Sequence, residues 1–259
     1  ERDSGWVQLY CEDAQEVYDT VLLATRLAED PIVLTPVFVC QDGFITSHCF
    51  EPVEFLADET VKNFVGERNA AWPLLDVDNP VSYGSFTMSE YYFEIKRNQM
   101  EGMNNVFSVY KELSAELEKE TGRCYEPLES YRTEDADYLI VIMSSATGVA
   151  KDVADELREE GIKAGVLRVR FFRPFPAEAL AEAARGKKGV AVLDRSASIG
   201  GTAPLAAEVK SALYSLSERV PVQEYIFGLG GRDFYATDAR RVFEAMKNND
   251  YSAGARFIG

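Results

Sequence analysis

The chain opens on a short apolar run, WVQLYC (Trp6–Cys11), which predicts a strand. Asp13 stands where a helix cap is wanted, with Glu16 three residues on. Beyond it Val17, Val21, Ala24 and Ala28 recur every three to four residues and mark one apolar helix face. Pro31 and Pro36 bracket a break. PVFVC follows, an apolar run without alternation, as a strand covered on both faces requires. The opening therefore reads β-α-β.

The pattern then changes. Glu51 to Thr87 holds one short helical piece, Asp58–Val65, and then AAWPLLDVDNPVSYGSF. That stretch is rich in Pro, Asp, Gly and aromatics. Trp72, Leu74, Leu75, Tyr83 and Phe86 make it too apolar for a free tail, so it reads as an ordered connection lying against something. From Ser89 to about Glu120 a long amphipathic helix is predicted. Ile95, Val106, Tyr110, Leu113 and Leu117 form its stripe, with Met103 beside it. Gly102 weakens its middle and Gly122 ends it.

From Asp137 apolar runs and helical periods alternate regularly. YLIVIM, AGVLRVR, GVAVLD and VQEYIF read as strands, and Arg168 and Arg170 alternate with apolar residues in the second. Helices are predicted from Thr147 to Glu160, in RPFPAEALAEAAR, from Ala203 to Leu216 and in DARRVFEAMK. Strand-helix alternation at this spacing predicts an α/β fold with a doubly wound parallel sheet.

Composition narrows the function. The 259 residues are enough for two domains. Carboxylates outnumber basic side chains 43 to 27, and the net charge is −16. A field of that sign repels nucleic acid and anionic lipid, and an acidic electron carrier as well. No apolar run is long enough to span a membrane. The four cysteines, Cys11, Cys40, Cys49 and Cys124, are widely spaced and form no CxxC, so neither a zinc ribbon nor a ferredoxin-type cluster is written here. With no leader in view, the expected setting is the reducing cytoplasm. The first residue is Glu1, not Met, which implies a longer chain upstream, or a break.

Open parallel sheets bind ligands beyond the carboxyl ends of their strands. Three loops hold such positions: DGFITSH (Asp42–His48), SSATG (Ser144–Gly148) and DRSASIGG (Asp194–Gly201). SSATG either offers backbone amides to an anion or simply caps its helix. Neither GxGxxG nor GxxxxGK[ST] is present, so no nucleotide site is signed. In DRSASIGG, Gly200 and Gly201 permit a tight backbone, and Arg195 is placed to pair with Asp194 or with a partner's carboxylate. This loop is either a structural lock or a ligand contact.

DGFITSH holds the only histidine, His48. Ser47 and His48 are adjacent, so in an extended segment they point to opposite sides, and no GxSxG elbow exists. Cys49 with His48 fails as a protease pair for the same reason. Cys40, eight residues away, is not at a sensible metal-ligand spacing. The loop carries no self-contained reaction. It supports a site, or faces a partner.

Six segments then carry a resemblance: WVQLYCEDAQEVYDT, PVFVCQDGFITSHCFEPVEF, FEIKRNQMEGM, GVLRVRFFRPFP, GVAVLDRSASIGGTAPLAAEV and FGLGGRD, in this order. Together they resemble the alpha subunit of 2-oxoacid:ferredoxin oxidoreductases of the pyruvate and oxalate type, over nearly the whole chain. The resemblance implies the end of a thiamine-diphosphate pyrimidine-type domain (1–55), a connecting segment with a long helix (56–132), and a transketolase C-terminal-like domain (133–259). It implies oxidative cleavage of a small 2-oxoacid, with electrons passing to ferredoxin. Thiamine diphosphate and magnesium would sit at a site shared with other chains. Iron–sulfur clusters would lie on partner subunits, and coenzyme A would accept the product in the pyruvate type but not the oxalate type. Partners would be beta-type and cluster-bearing chains, with ferredoxin met indirectly.

No catalytic or metal-binding residue is carried over. Asp42, Ser47, His48, Arg195, Gly200 and Gly201 are expected only to approach the active cleft or a subunit interface. The chain alone is expected to be inactive. A non-catalytic α/β scaffold that assembles partner subunits is the alternative, and a nucleotide binder through SSATG a third.

Overall fold

The computed structural model describes residues 1–84 and 86–259. Its elements run β1 (Val7–Tyr10), α1 (Ala14–Glu29), β2 (Val37–Cys40), α2 (Ile45–His48), α3 (Asp58–Val65), α4 (Ser89–Thr121), β3 (Leu128–Tyr131), β4 (Tyr138–Ile142), α5 (Ala146–Glu159), β5 (Ala164–Val169), β6 (Phe171–Arg173), α6 (Ala177–Ala184), β7 (Gly189–Asp194), α7 (Pro204–Leu213), β8 (Val222–Ile226), α8 (Ala236–Lys247) and β9 (Arg256–Phe257). No helix among them is long and apolar enough to cross a membrane.

The larger sheet has the order β3-β5-β4-β7-β8-β9. All its pairings are parallel except β3 with β5. Its inner strands β4 and β7 are apolar almost throughout because helices cover both faces. Leu139, Val141, Leu167 and Val192 pack under α6 and α7 through Leu180, Leu205 and Val209. The intervening Ile140, Ile142, Val166 and Leu193 meet α5 and α8 through Val153, Leu157, Val242 and Phe243. The alternation is the two-residue period of a strand, read on both faces.

The smaller sheet has the order β2-β1-β6. β1 and β2 are parallel, and β6 runs antiparallel to β1. The third strand beside the β-α-β start comes from residues 171–173. Only Arg170 separates β5 from β6, so one nearly continuous run of chain serves both sheets. The small sheet packs on α1 and α4 through Leu9, Leu23, Leu27, Val106, Tyr110 and Leu117, with Phe171 among them. Each such side chain contributes roughly 1.5–3 kcal/mol on burial.

Two local expectations change. Gly102 is a packing residue rather than a weak point of α4: a Cβ there would lie 2.5 Å from the carbonyl oxygen of Val33. The apolar stripe of α4 is buried only from Val106 onward, and Ile95 is exposed. The stretch that holds Trp72 and Tyr83 meets the body where these two edge a cavity beside Ala28, Pro31 and Leu34. Its large apolar side chains are exposed.

Candidate functional site

The two sheets bring the carboxyl ends of β1, β2, β4 and β7 to one place. A cavity of about 410 Å³ lies there. Tyr10, Phe38, Phe172 and Phe227 give it aromatic walls, and Asp42, Ser144, Asp194 and Arg195 supply polar groups at its edge.

The three loops singled out in the sequence meet on a single carboxylate. Asp42 Oδ1 lies 2.8 Å from Arg195 Nη1. Asp42 Oδ2 accepts a hydrogen bond from the backbone N–H of Ser145 at 2.9 Å and another from the Ser145 hydroxyl. One acid after β2 therefore ties down the loops after β4 and β7. It also fills the amide position that SSATG would offer an anion at the start of α5, where a negative charge is favoured by the helix dipole. Ser144 makes the sharp turn there at φ 60°, and Thr147 donates to its carbonyl at 2.7 Å.

Arg195 pairs with Asp42, not with Asp194. Its guanidinium sits over the Phe227 ring, 5.2 Å from the centroid, and its buried Nε has no hydrogen-bond partner. Asp194 serves the backbone instead. It accepts from the N–H groups of Ser196 at 3.0 Å and Leu205 at 2.7 Å, which pins the β7–α7 loop at both ends. Burial raises the Asp194 carboxyl above the usual range, and its two backbone donors work against that.

Ser47 and His48 lie outside this meeting point. Their segment is not extended but forms the short helix α2, so the two side chains do not point apart. Ser47 Oγ and His48 Nδ1 are hydrogen-bonded at 2.6 Å, and Ser47 Oγ accepts from the N–H of Phe44. Gly200 sits in open space at φ 79°, beside a fully exposed Ile199, at the tip of its loop. Gly201 donates to the carbonyl of Ser198 at 3.2 Å.

Sequence reasoning missed the strongest electrostatic feature. Glu16 is buried and accepts from Arg168 Nη1 and Nη2, both at 2.8 Å, and from Arg170 Nε. Arg168 also reaches Glu129 at 2.9 Å, and Lys151 bridges Glu129 at 2.6 Å and Glu12 at 2.8 Å. Arg168 is 1% exposed. Burial opposes the charge on Glu16 and Glu129. The guanidiniums outweigh it, holding Glu16 below its usual range and Glu129 down at about 2. This cluster joins the start of α1 to β3, β5 and α5, and so fixes how the two sheets face across the cavity. The available signal was Arg168-x-Arg170 on a strand expected to be buried on both faces. Two buried arginines on one side require carboxylates.

Comparison with known proteins places these residues. Residues 1–115 match the family model "Pyruvate flavodoxin/ferredoxin oxidoreductase, thiamine diP-bdg". Residues 136–239 match "Pyruvate:ferredoxin oxidoreductase core domain II". Pyruvate synthase subunit PorA of Thermotoga maritima is 49% identical over 260 residues, covering 100% of this chain and 66% of the relative. Its counterpart from Pyrococcus horikoshii is 37% identical over 263 residues, covering 100% and 67%. The chain belongs to the alpha-subunit family of 2-oxoacid:ferredoxin oxidoreductases.

This alpha-type chain spans about two thirds of the length of the curated relatives it matches. A solved 2-oxoglutarate:ferredoxin oxidoreductase from Magnetococcus marinus shares the fold, with a TM-score of 0.61 at 16% identity over 93% of this chain and 42% of that one. The α/β class and the doubly wound sheet expected from the sequence therefore stand.

The residues present do not fit a magnesium-bound diphosphate. Among the described residues no group of three His, Cys, Asp or Glu side chains is placed to hold a metal ion. The guanidiniums at the cavity, Arg2 and Arg195, are each paired with a carboxylate, Asp3 and Asp42.

Proposed function

We propose that this chain is the alpha-type subunit of a thiamine-diphosphate-dependent oxidoreductase that cleaves a small 2-oxoacid, pyruvate first among them, and passes the electrons to ferredoxin. The observation that carries the reading is the match across the whole of this chain with subunits named pyruvate synthase PorA. The cofactor and its magnesium belong to a site completed by other chains. Iron–sulfur clusters belong to a partner, since the four cysteines are free and scattered. Coenzyme A is the acceptor in this reading.

Within such an enzyme the chain's own residues do positioning work. Asp42 and Arg195 clamp the loops that edge the cavity. Asp42, Ser47, His48, Arg195, Gly200 and Gly201 then divide into an inner pair, Asp42 and Arg195, and an outer rim that faces the cleft or a neighbour. We read residues 1–55, 56–132 and 133–259 as the end of a pyrimidine-type domain, a connection, and a transketolase C-terminal-like domain.

The test is to purify the assembly through a tag on this chain and measure partner chains, iron, sulfide and thiamine diphosphate together. Reduction of ferredoxin is then followed with pyruvate, 3-methyl-2-oxobutanoate, 2-oxoglutarate or oxalate, with and without coenzyme A. Pyruvate- and coenzyme A-dependent reduction supports the reading. An assembly with no 2-oxoacid-dependent electron transfer sinks it, as does turnover by the 259-residue chain alone.

One observation favours a second reading, a non-catalytic scaffold. Asp42 and Asp194 already spend their carboxylates on partners within the chain. Arg195→Ala separates the two. Lost turnover in an intact assembly favours the catalytic surroundings, and lost assembly favours the scaffold.

A further inference from the structure

Helix α7 begins at the cavity wall, and its start is held from outside the helix. We propose that Glu224, in the middle of β8, is a positioning residue of the cavity: it fixes α7 along the sheet and so sets Pro204 in the cavity wall. The assignment deepens the functional reading by naming a residue that shapes the cleft, and rests on it only for the cavity being where turnover is decided.

The local sequence does not hold this helix start by itself. The residue before α7 is Ala203, whose side chain makes no cap. Pro204 lines the cavity and has no N–H of its own. The amides on either side of it go to two neighbouring strands. The N–H of Ala203 donates to Glu224 Oε1 at 2.9 Å, and the N–H of Leu205 to Asp194 Oδ2 at 2.7 Å. The other oxygen of Glu224, Oε2, lies 3.0 Å from Lys210 Nζ. Lys210 is about two turns along from Ala203, so one carboxylate holds α7 at points about 10 Å apart.

Packing alone leaves this helix free to slide. It meets the sheet through Leu205, Ala206, Val209 and Ala212, and on β8 Val222 and Ile226 pack into the same core on either side of Glu224. Glu224 itself is 6% exposed. An apolar side chain in its place would continue the apolar face, and such replacements of buried charge are often neutral or stabilising. Stability therefore does not call for a carboxylate here. Apolar burial is non-directional, whereas a hydrogen bond has a length and an angle. The carboxylate supplies a fixed point along the helix axis, and its charge falls at the end of the dipole that favours it.

The experiment compares Glu224→Leu and Glu224→Gln in the full assembly. The second variant keeps an oxygen for the N–H of Ala203 and loses only the charge facing Lys210. Amide exchange is read by mass spectrometry with fragmentation that separates Ala203 from Leu205. In Glu224→Leu both amides should exchange about tenfold faster. The kcat for 2-oxoacid should fall about tenfold, with the KM for ferredoxin and the melting temperature unchanged. Glu224→Gln should return exchange and kcat to within about threefold of the wild type. An unchanged kcat in Glu224→Leu overturns the proposal. So does a loss of turnover that follows loss of assembly or of melting temperature, or the absence of recovery in Glu224→Gln. Faster exchange at Ala203 with Leu205 unmoved makes Glu224 a local cap and overturns it as well. A wild-type assembly without 2-oxoacid turnover ends the functional reading alone, because exchange at Leu205 still decides whether Glu224 sets α7.

Discussion

Two clusters of opposite charge hold this molecule together, and their surroundings set them apart. Around Glu16, six charged side chains from four elements and the turns beside them meet, with Glu16, Arg168 and Arg170 buried at the centre. Around Asp42, one ion pair and one helix start meet at the edge of a cavity, with Arg195 one-third exposed. The centre of the first, Glu16 with Arg168 and Arg170, is shielded from water and salt, so each charge there depends on its partners. The second is within reach of solvent, which can replace what a substitution removes. Hence the first governs whether the two sheets stay joined, and the second governs how three loops sit once they are.

The largest expected effect comes from breaking the buried cluster. Glu16→Ala leaves Arg168 and Arg170 without their shared carboxylate. It should destabilise the chain by about 3–5 kcal/mol, measured by urea unfolding. Glu16→Gln keeps the shape and should recover only part of this.

Acid probes the same cluster without mutation. The carboxyls of Glu129 and Glu16 are held below their ordinary value near 4.5, Glu129 at about 2. Depressed groups contribute stability that is present above the unfolded value and is lost as the pH falls through the folded one. Thermal stability should therefore decline between about pH 4.5 and 2. Glu12, raised by burial against the pull of Arg168 and Lys151, acts in the opposite sense, and its contribution falls above about pH 4.5. Removing the cluster with Glu16→Ala should flatten the decline; an unchanged acid profile in that variant would assign the decline to other groups.

A smaller effect tests packing without charge. Gly102→Ala sets a methyl group against the Val33 carbonyl and should cost about 1–3 kcal/mol, with α4 displaced from the loop after α1. The smallest belongs to the cavity edge. Asp42→Asn removes the charge opposite Arg195 and keeps an acceptor for Ser145. It should cost only about 1–2 kcal/mol, yet reduce turnover of the purified assembly more than its stability. Equal loss of both would erase the distinction between the two clusters.

Much of this was legible in the chain itself. The apolar runs from Tyr138 onward located four strands because burial on both faces demands unbroken apolar residues. Asp13 was legible as a cap, and its side chain does accept from the N–H of Glu16 at 2.8 Å. The three loops were legible as neighbours, because parallel strands place their carboxyl ends together. The partnership of Asp42 with Arg195 was not: 153 positions separate them in the numbering, and no local period links them. Nor was β6, three residues long and continuous with β5, which gives no signal of its own.

Taken alone, the sequence determined what depends on neighbours along the chain: the period of each element, its caps and breaks, the acidic field, and the order of segments that marks the family. Tertiary structure alone decided which distant charges became partners, which glycine became a contact, and which apolar residues stayed outside. The reason is physical. A helix or strand is selected by the side chains within a few residues of one another. A charge finds its partner, and an apolar side chain its cover, only when folding has fixed what lies beside it in space.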